Sequence, residues 1–585
     1  MFSNLQKLNF TSLIKWLFHP DTLKLLGIGS ASVGIGYYIV KQVTSVNLGL
    51  DEPELLKELE NSSDLQKSET LIQILERFES STNTNETFHE NFKTSALFLT
   101  IKLIVSKDLM LGSNASKVAH YLISNLVYSS KFIELDGIEM LILAIQMNDP
   151  ENIQFETSAL LDHLKLLYKI IKLSKEQAVD LLEKTRGISM LGTLLTINET
   201  PEEIKNFVLK CLTWACEYSS TIPNLLSKIE VLPDVVNMLS NSNQEIVKYS
   251  SSLICDCVEI PEICLDLEEY GIIPKLVKII NDVTDEEILC NSCLAMTKLM
   301  FDRQMSDVIC VEYEIIPVIR EKFLKKKSDN LIFCGLKFIE FAANSSYQNK
   351  ILIRESEIFN ILKDLLIKQK VLGRQMLQQL ISTINELTVQ SRKTGNVKHF
   401  MNLYMLPLLV NLFRISKDPK IISDLIVIFG NCACSYEEYR IRLLESSIIP
   451  QLIQLLKSTR DTIVERNIIF TFANLAQSTK VQKELMDHDG IQGMVACLYS
   501  PDLQTQYGSI VGLKNIFFFG PKDKIQWFEI MNYLVSLNVI NHFMELLKKE
   551  ETHLREPIIE ILKRISEHPA VYQEFGKNIP NNRFF

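Results

Sequence analysis

The feature of this sequence that most constrains its fold is a degenerate motif that recurs about every 42 residues. One copy reads GIIPKLVKII from Gly271 and another reads SIIPQLIQLL from Ser447, so a glycine or polar residue precedes aliphatic residues and a proline. A period of this length is typical of helical repeats, whose units cannot bury their apolar faces alone and therefore stack. Clear copies begin at Glu230, Gly271, Glu314, Glu357, Tyr404, Ser447 and Gly490, and divergent copies begin at Gly137, Gly187 and Asn538.

Within each unit the residue pattern predicts three helices. A short helix ends at the glycine or polar residue, and a proline in the first turn starts the next helix, where its missing N–H is not needed. A polar turn follows, and a long helix with apolar residues at i, i+3 and i+4 closes the unit, as in Ile463–Ala476. We therefore predict an all-α solenoid over residues 91–570, with an acidic linker and helical lead-in at 44–90 and a tail at 571–585.

Two consecutive units near the carboxyl end resemble the armadillo-repeat family. Residues 421–458 contain NCACSYEEYRIRLLESSIIPQLIQLL, and residues 463–500 contain NLAQSTKVQKELMDHDGIQGMVACLY. Both follow the family's order, in which an NLA-like sequence precedes a sequence of the form G-I-P-x-L-x-x-L-L. The resemblance extends over about residues 115–570. It implies a right-handed superhelical solenoid that catalyses no reaction and binds protein partners, as extended peptide segments or as helices.

The resemblance also implies a position for the partner site. In armadillo proteins the long third helices line a concave groove, and an asparagine on each helix grips the backbone of an extended peptide. The predicted groove residues are Asn431, Asn474 and Asn515, together with Phe470 one turn before Asn474. The alternative is that each asparagine bonds the neighbouring repeat and ties the stack together. The equivalent positions along the chain are Trp214, Asp256, Lys298, Glu340, Glu386, Asn431, Asn474 and Asn515.

Positions one turn earlier narrow the class of partner. Nuclear-import adaptors of the family carry tryptophan there, and this sequence has none, which argues against binding of nuclear-localisation signals. Asp256, Glu340 and Glu386 would make the middle of the groove acidic, unlike the cationic groove of the catenins. The residues one turn earlier are Lys210, Ser252, Leu294, Leu336, Ser382, Val427, Phe470 and Val511.

The first fifty residues differ from the rest of the chain. The 16 residues Leu25–Val40 carry no charge and lie between Lys24 and Lys41, whose side chains can extend to the interfaces of a bilayer. Tyr37 and Tyr38 suit the interfacial aromatic belt. A cleaved signal peptide is disfavoured because no small-residue cleavage site follows. We predict a transmembrane anchor, and a helix buried in a soluble fold is the alternative.

The anchor is predicted at residues 25–43, after an amphipathic interfacial segment at residues 1–24. Ser30 and Gly34 are spaced so that two membrane helices can approach closely, as are Ser32 and Gly36, so we expect a homodimer through the anchor.

The anchor resembles that of the armadillo-repeat proteins held at the mitochondrial outer membrane, which act in mitochondrial distribution and dynamics. This resemblance implies a cytosol-facing solenoid on that membrane, with the endoplasmic reticulum as the second location. The alternative is a soluble armadillo adaptor for small GTPases or cytoskeletal proteins.

Several classes of function are disfavoured by the sequence. The formal net charge is −10, with no basic block, so binding of nucleic acid through its phosphates is not expected. The closest cysteine pairs, Cys255 with Cys257 and Cys432 with Cys434, are not CxxC pairs, and no phosphate loop, HExxH or nucleophile elbow occurs. We predict neither enzymatic activity nor a bound cofactor or metal ion.

Overall fold

A computed structural model describes residues 52–80, 90–148, 156–301, 303–520, 524–548 and 552–566. Within these ranges the regular secondary structure is helical, with no β-strand, and this confirms the all-α prediction. None of the described helices is long and apolar enough to cross a membrane. The predicted anchor and its residues lie outside the described part of the chain: Lys24, Ser30, Gly34, Gly36, Tyr37, Tyr38 and Lys41.

The chain divides into two compact units, residues 1–174 and residues 175–585, and each is considered by itself. The first unit includes two helices within the predicted linker, Glu52–Asn61 and Asp64–Ser80. Its other helices are Glu90–Ile104, Leu109–Leu122, Leu126–Glu134, Gly137–Met147 and the part of the Thr157–Lys184 helix that precedes a non-helical backbone at Lys175.

A buried polar cluster joins two helices of the first unit. Asp162 accepts a hydrogen bond of 2.6 Å from Ser113 and lies 3.2 Å from the Nζ of Lys117. Next to it, the Ser116 hydroxyl is hydrogen-bonded to Nδ1 of His163 at 2.8 Å. Burial lowers the pKa of His163 to about 4. The imidazole is therefore neutral at physiological pH, and the cluster serves to fix the packing of the two helices.

The second unit is a series of short, middle and long helices in regular order. Its short helices are the rest of Thr157–Lys184, then Ile222–Lys228, Pro261–Glu269, Arg303–Asp307 with the π-helical turn Val308–Glu312, Tyr347–Glu355, Ser391–Thr394 with Asn396–Asn402, Glu437–Glu445, Thr479–Asp487 and Lys524–Ser536. Its middle helices are Gly187–Thr196, Leu232–Met238, Ile272–Asp282, Ile315–Ile319 with the π-helical turn Arg320–Leu324, Ile358–Ile367, Leu406–Ile415, Ile448–Ser458, Gly490–Ala496 with the 3-10 turn Cys497–Tyr499, and Val539–Leu547. Its long helices are Glu202–Tyr218, Gln244–Cys257, Glu286–Leu299, Asp329–Ser345, Arg374–Thr388, Pro419–Ser435, Thr462–Leu475, Leu503–Phe518 and Thr552–Ser566.

The turn between short and middle helices requires a left-handed residue. At Gly271 φ is +70°, and at Ser447, which begins another copy of the motif, φ is 54°. For the copies predicted to begin at Gly137, Gly187 and Gly490, the left-handed residue is one position earlier, so those three starts shift by one residue. The left-handed residues are Asp136, Arg186, Glu230, Gly271, Glu314, Glu357, Tyr404, Ser447, Asp489 and Asn538.

Most long helices begin at a polar residue that caps the first turn. The Asp461 carboxylate accepts hydrogen bonds from the backbone N–H groups of Ile463 and Val464, and Asp285 and Asp418 do the same for their helices. Such caps satisfy donors that the first turn of a helix would otherwise leave without partners. They fix where each long helix starts and hence the register of the side chains on its exposed side.

Consecutive long helices of the second unit pack against one another from Glu202–Tyr218 to Thr552–Ser566. Their inner sides supply fully buried aromatic residues such as Phe338, Phe429 and Phe472. The core is therefore a continuous layer between the long helices and the shorter ones, as stacking of repeats requires.

Residues at the fourth position of three short helices join neighbouring repeats. The Lys350 ammonium donates to the backbone carbonyls of Glu386 at 2.7 Å and Val389 at 3.3 Å, at the end of the next long helix. Arg440 donates to the carbonyl of Asn474 at 3.2 Å, and Gln482 donates to that of Phe519 at 3.2 Å. These side chains satisfy carbonyl groups that the last turn of a helix leaves open.

Candidate protein-binding surface on the long helices

The predicted groove positions lie on the exposed side of the long helices of the second unit, which we call the long-helix face. Most of these positions are half-buried, whereas the residues that flank them along each helix are mostly buried in the stack. The residues of the face at this level are Trp214, Asp256, Lys298, Phe341, Glu386, Asn431, Asn474 and Asn515.

One of these residues differs from the sequence-based alignment, which placed Glu340 and Leu336 on the face. Leu336 is fully buried, while Phe341 is 43% exposed. The backbone carbonyl of Leu336 accepts a hydrogen bond from Thr383, and the carbonyl of Ile426 accepts one from Thr471 in the same way. Ile426 is five residues before Asn431, so the residue equivalent to Asn431 is the one five residues after Leu336. The alignment was therefore wrong by one residue in this helix, and Phe341 occupies the position assigned to Glu340.

Each of the three predicted asparagines donates a hydrogen bond to the preceding long helix. The Nδ2 of Asn474 donates to the carbonyl of Gly430 at 3.1 Å, and the Nδ2 of Asn515 donates to the carbonyl of Ala473 at 2.7 Å. The Nδ2 of Asn431 donates to the hydroxyl of Thr388 at 3.0 Å. One amide hydrogen of each side chain is thus used to join repeats, which matches the alternative interpretation. The other amide hydrogen and the carbonyl oxygen are not engaged by these bonds.

Aromatic and aliphatic side chains surround this ladder of asparagines. The predicted residue Phe470 is half-buried beside Gly508, where an added Cβ would lie 3.5 Å from its ring. Tyr507 is 38% exposed and Phe518 is 42% exposed, and Val511 is half-buried between them. Sequence reasoning did not single out Tyr507 and Phe518, although their spacing from Asn515 on one helix could have revealed them.

The acidic middle of the face is partly neutralised. Glu386 pairs with the buried ammonium of Lys350 at 2.8 Å, and Lys298 forms an ion pair with Glu259. Burial raises the pKa of Asp256 to about 6, the nearby Lys298 opposes this shift, and the carboxylates of Glu217 and Glu259 add to it. The middle therefore presents less negative charge than its residue types indicated.

A cation–aromatic cluster occupies the first two long helices of the face. The Lys210 ammonium lies 4.9 Å from the ring centroid of Phe207 and 5.1 Å from that of Tyr249. It also pairs with Glu245 at 2.7 Å, so its charge is balanced within the stack. This arrangement joins the two helices and leaves little free charge for a partner.

No group of three or more potential metal ligands occurs among the described residues. The side chains of Cys290 and Cys334 line a cleft of about 510 Å³ with Asp285, Glu286 and Glu287. Most other cysteines are buried, and burial raises the pKa of Cys432 to about 12. A thiol with such a pKa is protonated and behaves as a small apolar side chain.

No model of a protein family and no curated protein matches this sequence. Among solved structures, a chain from a study of the phosphorylation switch that controls the interaction between cadherin and β-catenin matches at a TM-score of 0.68 and 12% identity. The match covers 88% of this chain and 99% of that chain. An engineered protein solved by a structural genomics consortium matches at a TM-score of 0.63 and 17% identity, over 72% of this chain and 98% of that chain. Likeness at these identities shows the fold, and the chain therefore has an armadillo-like helical-repeat fold.

Proposed function

We propose that this protein is a non-enzymatic adaptor that binds other proteins on the long-helix face of its last repeats. The observation that carries the proposal is the ladder of Asn431, Asn474 and Asn515 beside the exposed rings of Tyr507 and Phe518. An armadillo-like fold supports the class of function, since such stacks present extended surfaces to partners.

The chemistry of this surface fits an extended peptide segment. Each asparagine retains one amide hydrogen and a carbonyl oxygen, which match the acceptor and donor of a peptide backbone. The half-buried ring of Phe470 and the exposed rings of Tyr507 and Phe518 offer apolar contacts for alternate side chains of such a segment. Aromatic side chains on a surface of this kind are the usual sites of concentrated binding energy.

The proposal is tested by removing the exposed rings and leaving the asparagine ladder intact. We expect the double variant Tyr507→Ala and Phe518→Ala to retain fewer proteins from cell extract than the native chain, with affinities lower by about tenfold or more. The control is Tyr270→Ala with Tyr313→Ala, which removes two exposed rings at the ends of short helices. If both variants retain the same proteins as the native chain, the long-helix face is not the binding surface.

We further propose that residues 25–43 anchor the adaptor in a membrane with its repeats in the cytosol, at the mitochondrial outer membrane ahead of the endoplasmic reticulum. The uncharged run Leu25–Val40 between Lys24 and Lys41 supports this. Replacing Val33 and Ile35 with Asp should release the chain from membranes on carbonate extraction, since each charge at the bilayer centre costs about 2.5–3.5 kcal/mol. Unchanged sedimentation of that variant with membranes would show that the segment does not span them.

The proposed homodimer through the anchor depends on close approach at Ser30, Gly34 and Gly36. Gly34→Leu with Gly36→Leu should abolish crosslinking of the native chain in detergent, because the added side chains separate the two helices. Equal crosslinking of the native chain and this variant would place any contact elsewhere.

A further inference from the structure

Four successive connections between middle and long helices carry a concentration of positive charge, in a chain whose formal net charge is −10. We call these connections, residues 325–329, 367–374, 414–420 and 457–463, the basic edge. Together they contain eleven lysines and arginines and three acidic residues. The preceding connection is acidic, with Asp282, Asp285, Glu286 and Glu287, so the basic edge has a defined limit.

The four connections lie along one side of the stack because the long helices run parallel. Hydrogen bonds and ion pairs join the amino-terminal ends of neighbouring long helices, as between Ser328 and Glu286 at 2.6 Å and between Arg374 and Asp418 at 2.5 Å. The asparagine ladder joins the long helices from Arg374–Thr388 to Leu503–Phe518 near their carboxyl-terminal ends. Packed helices are about 8–10 Å apart, so the basic edge extends over about 30 Å.

Most cations of the basic edge form no ion pair with another described residue. Lys325 pairs with Glu321, Arg374 with Asp418 and Lys457 with Asp489. The exposed cations that form no ion pair within the described residues are Lys326, Lys327, Lys368, Lys370, Arg414, Lys417, Lys420 and Arg460. Their charges therefore add to a positive potential that faces solvent.

Four aliphatic side chains project between these cations. Val371 is 82% exposed and Ile367 is 58% exposed at one connection, Ile415 is 53% exposed at the next and Ile463 is 55% exposed at the last. None of these residues packs into the stack as its neighbours do. Exposed aliphatic groups among unpaired lysines are the combination by which peripheral proteins enter the interface of a bilayer.

We propose that the basic edge binds the surface of an anionic phospholipid bilayer. The lysines and arginines lie against the phosphate and carboxylate groups of the lipids, and Ile367, Val371, Ile415 and Ile463 enter the interface. A membrane fits better than a nucleic acid, because these connections hold no aromatic residue for stacking on bases. The proposal goes beyond the adaptor function and is independent of the anchor, since its residues belong to the repeats.

The experiment uses the full chain carrying Val33→Asp and Ile35→Asp, so that the proposed anchor does not contribute. This chain should sediment with vesicles of phosphatidylcholine and phosphatidylserine and remain in solution with vesicles of phosphatidylcholine alone. Binding should weaken as salt is added, because exposed charges are screened. Replacing Lys326, Lys368, Lys370 and Lys417 with Gln should lower the partition coefficient by at least about tenfold.

Two further variants separate charge from apolar contact. Val371→Ser with Ile415→Ser keeps every charge and should still weaken binding several-fold. The control replaces four exposed lysines of short helices, Lys393, Lys398, Lys480 and Lys483, with Gln and should bind as before. The proposal is overturned if the edge variant and the control bind vesicles equally, or if the chain binds RNA or an acidic peptide and no vesicle. The anchor is tested separately by comparing the native chain with the Val33→Asp, Ile35→Asp chain on vesicles of phosphatidylcholine alone. Equal binding of the two chains would show that the segment does not anchor the protein.

Discussion

Single residues in the turns between short and middle helices set the repeat. Gly271 has φ of +70°, and a Cβ placed there would meet no atom within 4 Å, so the backbone alone decides which residue fits. Nine other repeats place a residue with a side chain at the equivalent position, and each of those positions bears the conformational cost of the left-handed region.

We therefore expect Gly271→Val to lower the free energy of unfolding by about 1–2 kcal/mol, because a β-branched residue is strained at positive φ. Introducing a glycine where the chain has a side chain, as in Ser447→Gly at φ of 54°, should raise the free energy of unfolding by up to about 1 kcal/mol. Denaturant unfolding of both variants checks the pair. A Gly271→Val variant as stable as the native chain, or a Ser447→Gly variant less stable than it, would mean that these turns do not hold the left-handed backbone.

Asp256 gives the long-helix face a dependence on pH. Burial raises its pKa to about 6 from an ordinary 3.8, so the native state holds this proton more tightly than the unfolded chain. The contribution of Asp256 to the free energy of unfolding is therefore most favourable below pH 3.8, where the carboxyl group is protonated in both states. It is lost as the pH rises through about 6.

Asp256→Asn should raise the free energy of unfolding by about 1 kcal/mol at neutral pH, and should have little effect below the ordinary pKa of the carboxyl group. Thermal unfolding at several pH values measures the difference, and Asp364→Asn, on an exposed surface, controls for loss of a negative charge. A constant difference at every pH would show that burial of the carboxylate is not its source.

Elements of the stack are joined by polar side chains that sequence patterns do not distinguish from surface residues. Arg440 is buried, donates to the carbonyl of Asn474 and bonds Gln477 Oε1 at 2.6 Å, whereas Arg442 on the same helix pairs with Glu438 in a more exposed position. Arg442 also donates to a neighbouring repeat, at the carbonyl of Met401, but over 3.4 Å and from a more exposed position. Position along the helix, rather than residue type, therefore decides which of the two arginines is buried at the junction between repeats.

Arg440→Met should lower the free energy of unfolding by about 2–3 kcal/mol, because buried polar partners would lose their bonds. Arg442→Met, the matched control, should change it by less than about 1 kcal/mol. Denaturant unfolding compares the two, and equal effects would contradict the assigned role of Arg440.

The asparagine ladder joins neighbouring repeats, and the proposed function gives it a second role in binding partners. Replacing Asn431, Asn474 and Asn515 with Ala should lower the free energy of unfolding by about 2–4 kcal/mol in total, since each loses one hydrogen bond to the preceding helix. Partner binding should fall at temperatures where the variant is still folded. A folded variant with native binding would leave the asparagines a purely structural role.

Hydrophobic periodicity and the recurring proline predicted the helices and their order, because apolar spacing directly reflects which side of a helix is buried. The same reasoning failed in the helix Asp329–Ser345. The groove position of this helix holds no asparagine that could fix the alignment, and Phe341 rather than Glu340 reaches the face. The contacts of Lys350 and Arg440 were also missed, because they join residues that lie a whole repeat apart in the sequence.

At the scale of the whole molecule, the second unit resembles a stack in which each repeat contacts its neighbours, and surfaces arise by repetition. The long helices form the face proposed for proteins, and the connections at their amino-terminal ends form the basic edge. The two surfaces draw on different residues, so each can be altered while the other is kept.

The central claim, that partners dock on the long-helix face of the last repeats, is tested most directly by crosslinking from single positions. A photo-crosslinking amino acid replaces Val511 on the face or, in the control, Tyr270 at the end of a short helix. We predict that partner proteins crosslink from position 511 and not from position 270, and that Tyr507→Ala with Phe518→Ala removes the product. Crosslinks from position 270 with none from position 511 would contradict the claim.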